Sequence, residues 1–195
     1  MTSSQPASTP GAQHILIACV GNIFLGDDGF GVEVARRLAT RHYPPGVEVV
    51  DFGIRGVELA YRLLDGCDTL VLVDAVPRGG TPGTLYLIEP DTLPSGAETS
   101  AAHTPPARSA LDAHSMDPMK TLAFAYQLGA RPRRILLIGC EPDLSSIPDA
   151  DGALRIGLSA PAQASVEEAV KMVDALVARL CAPVEATDQK GEAYP

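Results

Sequence analysis

Six apolar residues, Ile15 to Val20, run directly into Gly21-Asn22-Ile23-Phe24-Leu25-Gly26-Asp27-Asp28-Gly29-Phe30-Gly31. An unbroken apolar run of this kind reads as a strand buried on both faces, and the glycines behind it as a tight loop entering a helix. In many α/β proteins that order of elements cradles a phosphate on backbone N–H groups and a helix N-terminus. Gly21 and Gly26 even have the spacing of the two glycines of a P-loop. Asp27 and Asp28, however, stand where a P-loop carries Lys and Ser/Thr. Two carboxylates at a helix start repel phosphate and suit a metal cation or a cationic group.

Strand and helix patterns alternate along the rest of the chain. The first helix is expected to bury Phe30, Val34 and Leu38, with Glu33, Arg36, Arg37 and Arg41 outward. Val47 to Phe52 reads as a second strand, Val57 to Leu64 as a helix closed by Gly66, and Thr69 to Asp74 as a central parallel strand. Only Ala75 to Gly83 separates that strand from the next, Thr84 to Glu89. This is too short and too rich in Gly and Pro for a crossover helix, so the fourth strand should run antiparallel to its neighbour. Asp91 to Ala113 lacks periodicity and reads as a mobile loop. Asp117-Pro118 looks like a cap and first helical residue, followed by a buried stripe of Met119, Leu122, Ala123 and Tyr126 and an end at Gly129. Ile135 to Cys140 is the fifth strand. Ser165-x-x-Glu168 reads as a capping box for a last helix that buries Val166, Ala169, Val170, Val173, Leu176, Val177 and Leu180. The expectation is a three-layer α/β/α sandwich around a mostly parallel, twisted sheet of about five strands, one of them antiparallel. It forms a single domain over residues 14–182, with flexible tails at 1–13 and 183–195.

Composition narrows the function. The chain has 195 residues and a formal net charge of -9, which argues against nucleic acid as a partner. No apolar run reaches the ~18 residues of a membrane span, and the first thirteen residues do not form a secretory signal. A cytoplasmic protein is expected. The four cysteines, at 19, 67, 140 and 181, form no CxxC pair and read as reduced core residues, with Cys67 a minor candidate nucleophile.

In such folds the working site lies beyond the carboxyl ends of the parallel strands. Asp27-Asp28, Asp51 and Asp74 all fall there, each behind an apolar strand, and His114 precedes the next helix. A carboxylate closing an apolar strand is costly unless paired or liganded. Carboxylates with an imidazole form an incomplete ligand set for a first-row divalent metal, with positions left open. Each residue also has a simpler reading. Asp27 is the better choice for capping the helix, Asp51 can bond loop amides before Gly53, and His14, His42 and His103 have no acidic partner in view.

The chain resembles the [NiFe]-hydrogenase maturation proteases. The likeness is carried by Gly21-Asn22, Asp27-Asp28-Gly29-x-Gly31, Asp51-x-Gly53, Val73-Asp74-Ala75, His114-Ser115-Met116-Asp117-Pro118, Leu128-Gly129 and Ile138-Gly139-Cys140-Glu141-Pro142. These blocks occur in the family's order over residues 14–180. The resemblance implies an aspartic-type endopeptidase that removes the C-terminal extension of a hydrogenase large-subunit precursor after nickel has entered it. It further implies that Asp28, Asp74 and His114 recognise that nickel, with the metal presented by the precursor and no permanent cofactor. Catalysis is expected from Asp74, Asp28 and Asp51, with Asp74 or Asp51 as base for a water molecule and metal-polarised water as the competing scheme. The free protein is expected to be a monomer. A metal-binding chaperone that senses nickel without cutting, and a nucleotide-binding module, are the alternatives; the paired Asp27-Asp28 argues against the second.

Overall fold

The computed structural model describes residues 13–90, 118–147 and 154–182. The 91–113 loop, His114, Asp117 and the expected tails before residue 13 and after residue 182 lie outside the described residues.

Strands β1 (Ile15–Val20), β2 (Val47–Gly53), β3 (Thr69–Ala75), β4 (Leu85–Ile88) and β5 (Arg134–Cys140) form one sheet in the order β2-β1-β3-β5-β4. All pairings are parallel except β4 with β5. The antiparallel strand is therefore as expected, and its neighbour is β5. The loop after β3 passes around the end of β5: Val76 N donates to Cys140 O (2.8 Å), and Gly83 N donates to Glu141 O (2.8 Å). That path lays β4 on the outer side of β5.

The period of two along each strand assigns its side chains to two layers. Ile15, Ile17, Cys19, Val71 and Val73 face α1 (Phe30–Leu38) and α4 (Ala160–Cys181). Leu16, Ala18, Leu70 and Leu72 face α2 (Gly56–Leu64) and α3 (Pro118–Leu128). Both faces of β1 are thereby covered, which is why its sequence has no polar alternation.

Two local readings are corrected. Helix α4 does not start at Ser165. Its N-cap is Ser159, whose Oγ accepts from Ala162 N, while Ser165 Oγ sits a turn inside and donates to Gly83 O and Pro161 O. Pro161 fits in the first helical turn, where proline has no intrahelical N–H bond to lose. In α3 the buried residues are Leu122 and Ala125, with Ala123 and Tyr126 half-buried. Met119 is exposed, because it lies in the first turn, before the inward-facing part of the helix begins.

Candidate active site

The loop after β1 is closed by backbone contacts that only glycine permits. Gly21 N donates to Gly53 O (3.0 Å), which ties the ends of β1 and β2 together. A Cβ on Gly21 would overlap Asp28 O, and its φ of 140° is one that other residues avoid. Asn22 N donates to both Asp28 O (3.2 Å) and Asp28 Oδ2 (3.0 Å), so the loop folds back on the residue that ends it. Gly31, in the first turn of α1, lies against Val20 O and Val73 O, leaving no room for a side chain. The helix consequently starts in the cleft between β1 and β3.

Asp27 does not cap the helix, contrary to expectation, because no side chain caps the Gly26–Gly29 turn or α1. It is 1% exposed and fully engaged. Oδ1 accepts from Ser159 N (2.6 Å), and Oδ2 accepts from Ser159 Oγ (2.7 Å) and Asp143 N (2.8 Å). A buried carboxylate is tolerable when its lone pairs are used in this way. Asp27 thereby staples the site loop to the segment after β5 and to the start of α4.

Asp28 and Asp74 lie at the carboxyl ends of two neighbouring strands. β1 and β3 are neighbours, yet the chain leaves β1 toward β2 and leaves β3 toward β5 and β4, so their carboxyl ends form the sheet's topological switch point. Asp28 follows β1 and Asp74 ends β3, with the Gly26–Gly29 turn packed on β3. Among the described residues Asp28 Oδ2 accepts only from Asn22 N, and Oδ1 has no protein donor. Burial raises the Asp28 pKa above the ordinary aspartate value, and the bond from Asn22 offsets part of that rise. Asp74 is 9% exposed, and its Oδ1 accepts from Ala75 N (2.8 Å). Its place in the alternation puts it on the α2–α3 face, with Leu70 and Leu72. Helix α3 packs on the same face. Because it feeds the parallel strand β5, its first residue, four positions after His114, lies at the carboxyl edge. Among the described residues no group of three His, Cys, Asp or Glu could hold a metal unaided.

Asp51 is not brought to this pair. It is exposed on the edge strand β2, in register with Cys19 and, through it, with Val73. That places it two strands, about 10 Å, from the β3 row and on the opposite face from Asp74. His14 has an acidic neighbour after all, Glu48 at 4.0 Å, with Nδ1 2.5 Å from Gly66 O, but it precedes β1 at the far edge of the sheet. Glu141, in the motif Ile138-Gly139-Cys140-Glu141-Pro142, has no role legible in that motif alone. The side chain accepts from Arg78 N (2.9 Å), Gly79 N (3.0 Å) and Tyr86 Oη (2.8 Å), and so shapes the loop that leaves Asp74. Burial pushes its pKa up, but these donors together outweigh it and hold the carboxyl below the usual range. The argument that singled out Asp74, an acid directly behind an apolar strand, applies equally to Glu141.

The hydrogenase maturation protease family model matches residues 32–175. The chain belongs to that family. It is 33% identical to the hydrogenase expression/formation protein HupM of Azotobacter chroococcum mcd 1, over 99% of this chain and 81% of that one. The corresponding HoxM of Azotobacter vinelandii is 34% identical, over 83% of this chain and 70% of that one. Among solved structures it is similar to the hydrogenase maturating endopeptidase HybD from E. coli, with a TM-score of 0.65, 26% identity, and coverage of 87% of this chain and 94% of that one. The [NiFe] hydrogenase maturation protease HycI from Thermococcus kodakarensis KOD1 has a TM-score of 0.54 and 25% identity, over 86% of this chain and 94% of that one.

A maturation protease is a peptide hydrolase, and its cysteines here are poor nucleophiles. Burial pushes the Cys140 thiol to about 12 and the Cys67 thiol to about 11, and Cys19 is raised further still. Cys181 is exposed at the far end of α4, about 33 Å along the helix from Ser159.

Proposed function

We propose that the chain is the endopeptidase that removes the C-terminal extension of a [NiFe]-hydrogenase large-subunit precursor after nickel insertion. Asp28, Asp74 and His114 engage the nickel carried by the precursor, and that contact sets the scissile bond in place. The observation that carries the reading is the placement of Asp28 after β1 and Asp74 at the end of β3, both at the β1–β3 switch point, with one Asp28 carboxylate oxygen that no group among the described residues occupies. Carboxylates and an imidazole suit a first-row divalent ion, and an incomplete set suits an ion that remains with its own protein.

Hydrolysis requires a water molecule deprotonated beside the scissile carbonyl. We assign the base to Asp74, which makes the enzyme aspartic in type, because Asp51 stands on the other face of the sheet. Nickel is substrate in this scheme, and the protein needs no resident cofactor. It acts in the cytoplasm, as a monomer when free. The test is to incubate purified protein with nickel-loaded precursor and weigh the large subunit by mass spectrometry. Loss of the C-terminal fragment is expected. Stable binding of the intact precursor with no loss would replace the protease by a chaperone.

A further inference from the structure

Beside the Asp28 loop lies a short extended segment whose outer edge is open among the described residues. Arg155 N donates to Phe24 O (2.9 Å) and Gly26 N donates to Arg155 O (2.8 Å), a parallel bridge between Leu25 and Arg155. In such a bridge both polar groups of the central residue point to the partner, and those of its neighbours point away. The N–H and C=O groups of Leu154 and Ile156 accordingly face outward, and neither residue has a hydrogen-bond partner among the described residues. Arg155 is held at its side chain too, where Nη1 donates to Ser145 O (2.8 Å).

The side chains beside this edge are apolar and in solvent. Leu154 and Ile156 flank Arg155 on one side of the segment and are 70% and 77% exposed, and Phe24, in the turn to which the segment is bridged, is 47% exposed. Large apolar residues grouped beside a site mark an interaction surface. The group is continuous with the site: Asp28 N donates to Leu25 O (3.3 Å), and Asp27 fixes Ser159 three residues beyond Ile156.

We propose that Leu154–Ile156 is the docking strand for the substrate's polypeptide, which adds to it in extended form and places alternate apolar side chains against Phe24, Leu154 and Ile156. Main-chain bonds to an open edge give affinity without demanding a sequence, and the apolar face sets which side chains fit. An extended peptide is also the form in which a scissile bond is open to hydrolysis. The inference rests on the reading of the chain as a processing endopeptidase.

The experiment combines kinetics with amide exchange, using nickel-loaded large-subunit precursor as the probe. Leu154→Ser with Ile156→Ser should raise KM about tenfold or more with kcat little changed, equivalent to about 1.4 kcal/mol of lost binding. Leu87→Ser, an exposed apolar position on strand β4, should leave both constants unchanged. In wild-type protein the Leu154 and Ile156 amides should gain protection on adding precursor. The Arg155 amide, already bonded to Phe24 O, should change little. Cleavage by wild type with unaltered KM in the double variant, or with no new protection at these two amides, overturns the docking strand and leaves the protease reading intact. No cleavage by wild type overturns both.

Discussion

Replacing Asp27 by Ala isolates the staple from the chemistry. The substitution removes the acceptor for two backbone N–H groups, Ser159 N and Asp143 N, and for the Ser159 hydroxyl. A hydrogen bond to a charged acceptor contributes about 1.5–3 kcal/mol. Ser159 and Asp143 are only partly buried, so water can reach both donors once the carboxylate is gone. Taking the lower end for each of the two backbone bonds, and nothing for the hydroxyl that can rotate away, gives about 3 kcal/mol. At about 2–4 °C per kcal/mol for a domain of this size, Tm should fall by about 6–12 °C. Urea and thermal unfolding followed by circular dichroism measure both quantities. Limited proteolysis should show earlier cutting between Asp143 and Ser159. A loss below about 1 kcal/mol with unchanged proteolysis would refute the staple, since a buried carboxylate with three donors cannot be removed so cheaply.

Three further outcomes follow from named contacts. The stability advantage of wild type over Glu141→Gln should be full above pH ~5 and shrink as pH falls, because a carboxylate with a lowered folded pKa stabilises only above its unfolded value of about 4.3 and loses that contribution as pH drops through the folded one; urea midpoints across pH 3–7 check the sign. Gly31→Ala forces a methyl group into Val20 O and Val73 O and should cost about 3 kcal/mol by separating α1 from the strands, read as a lower urea midpoint. With Cys67 at about 11, iodoacetamide at neutral pH should not inhibit processing, and Cys67→Ala should process at the wild-type rate; loss of activity in folded Cys67→Ala would restore a thiol mechanism.

The strands were legible because burial on both faces leaves an unmistakable apolar run, as in Ile15–Val20 and Thr69–Ala75, and the glycines of the first loop stand where the backbone touches itself. What escaped depends on contacts distant in sequence. Asp27 and Asp28 are adjacent and chemically identical, yet one is tied to Asp143 and Ser159, more than a hundred residues away, while the other, among the described residues, bonds only to Asn22 N. No local rule separates them. The start of α4 was misread because Ser165-x-x-Glu168 fits a cap pattern as well as Ser159 does, and only the packing of the first turn distinguishes the two. Asp51 illustrates a third limit. Its position at a strand's carboxyl end could be read, but not the strand order that sets β1 between it and Asp74.

The central claim is that Asp74, at the switch point with Asp28, is needed for cleavage of nickel-bearing precursor and not for folding. Asp74→Asn keeps the size of the side chain and removes its charge. The deciding measurement is the mass of nickel-loaded large-subunit precursor after incubation with this variant, beside wild type, with circular dichroism establishing that both are folded. The account predicts complete removal of the C-terminal extension by wild type and intact precursor with folded Asp74→Asn. Full processing by Asp74→Asn would contradict it.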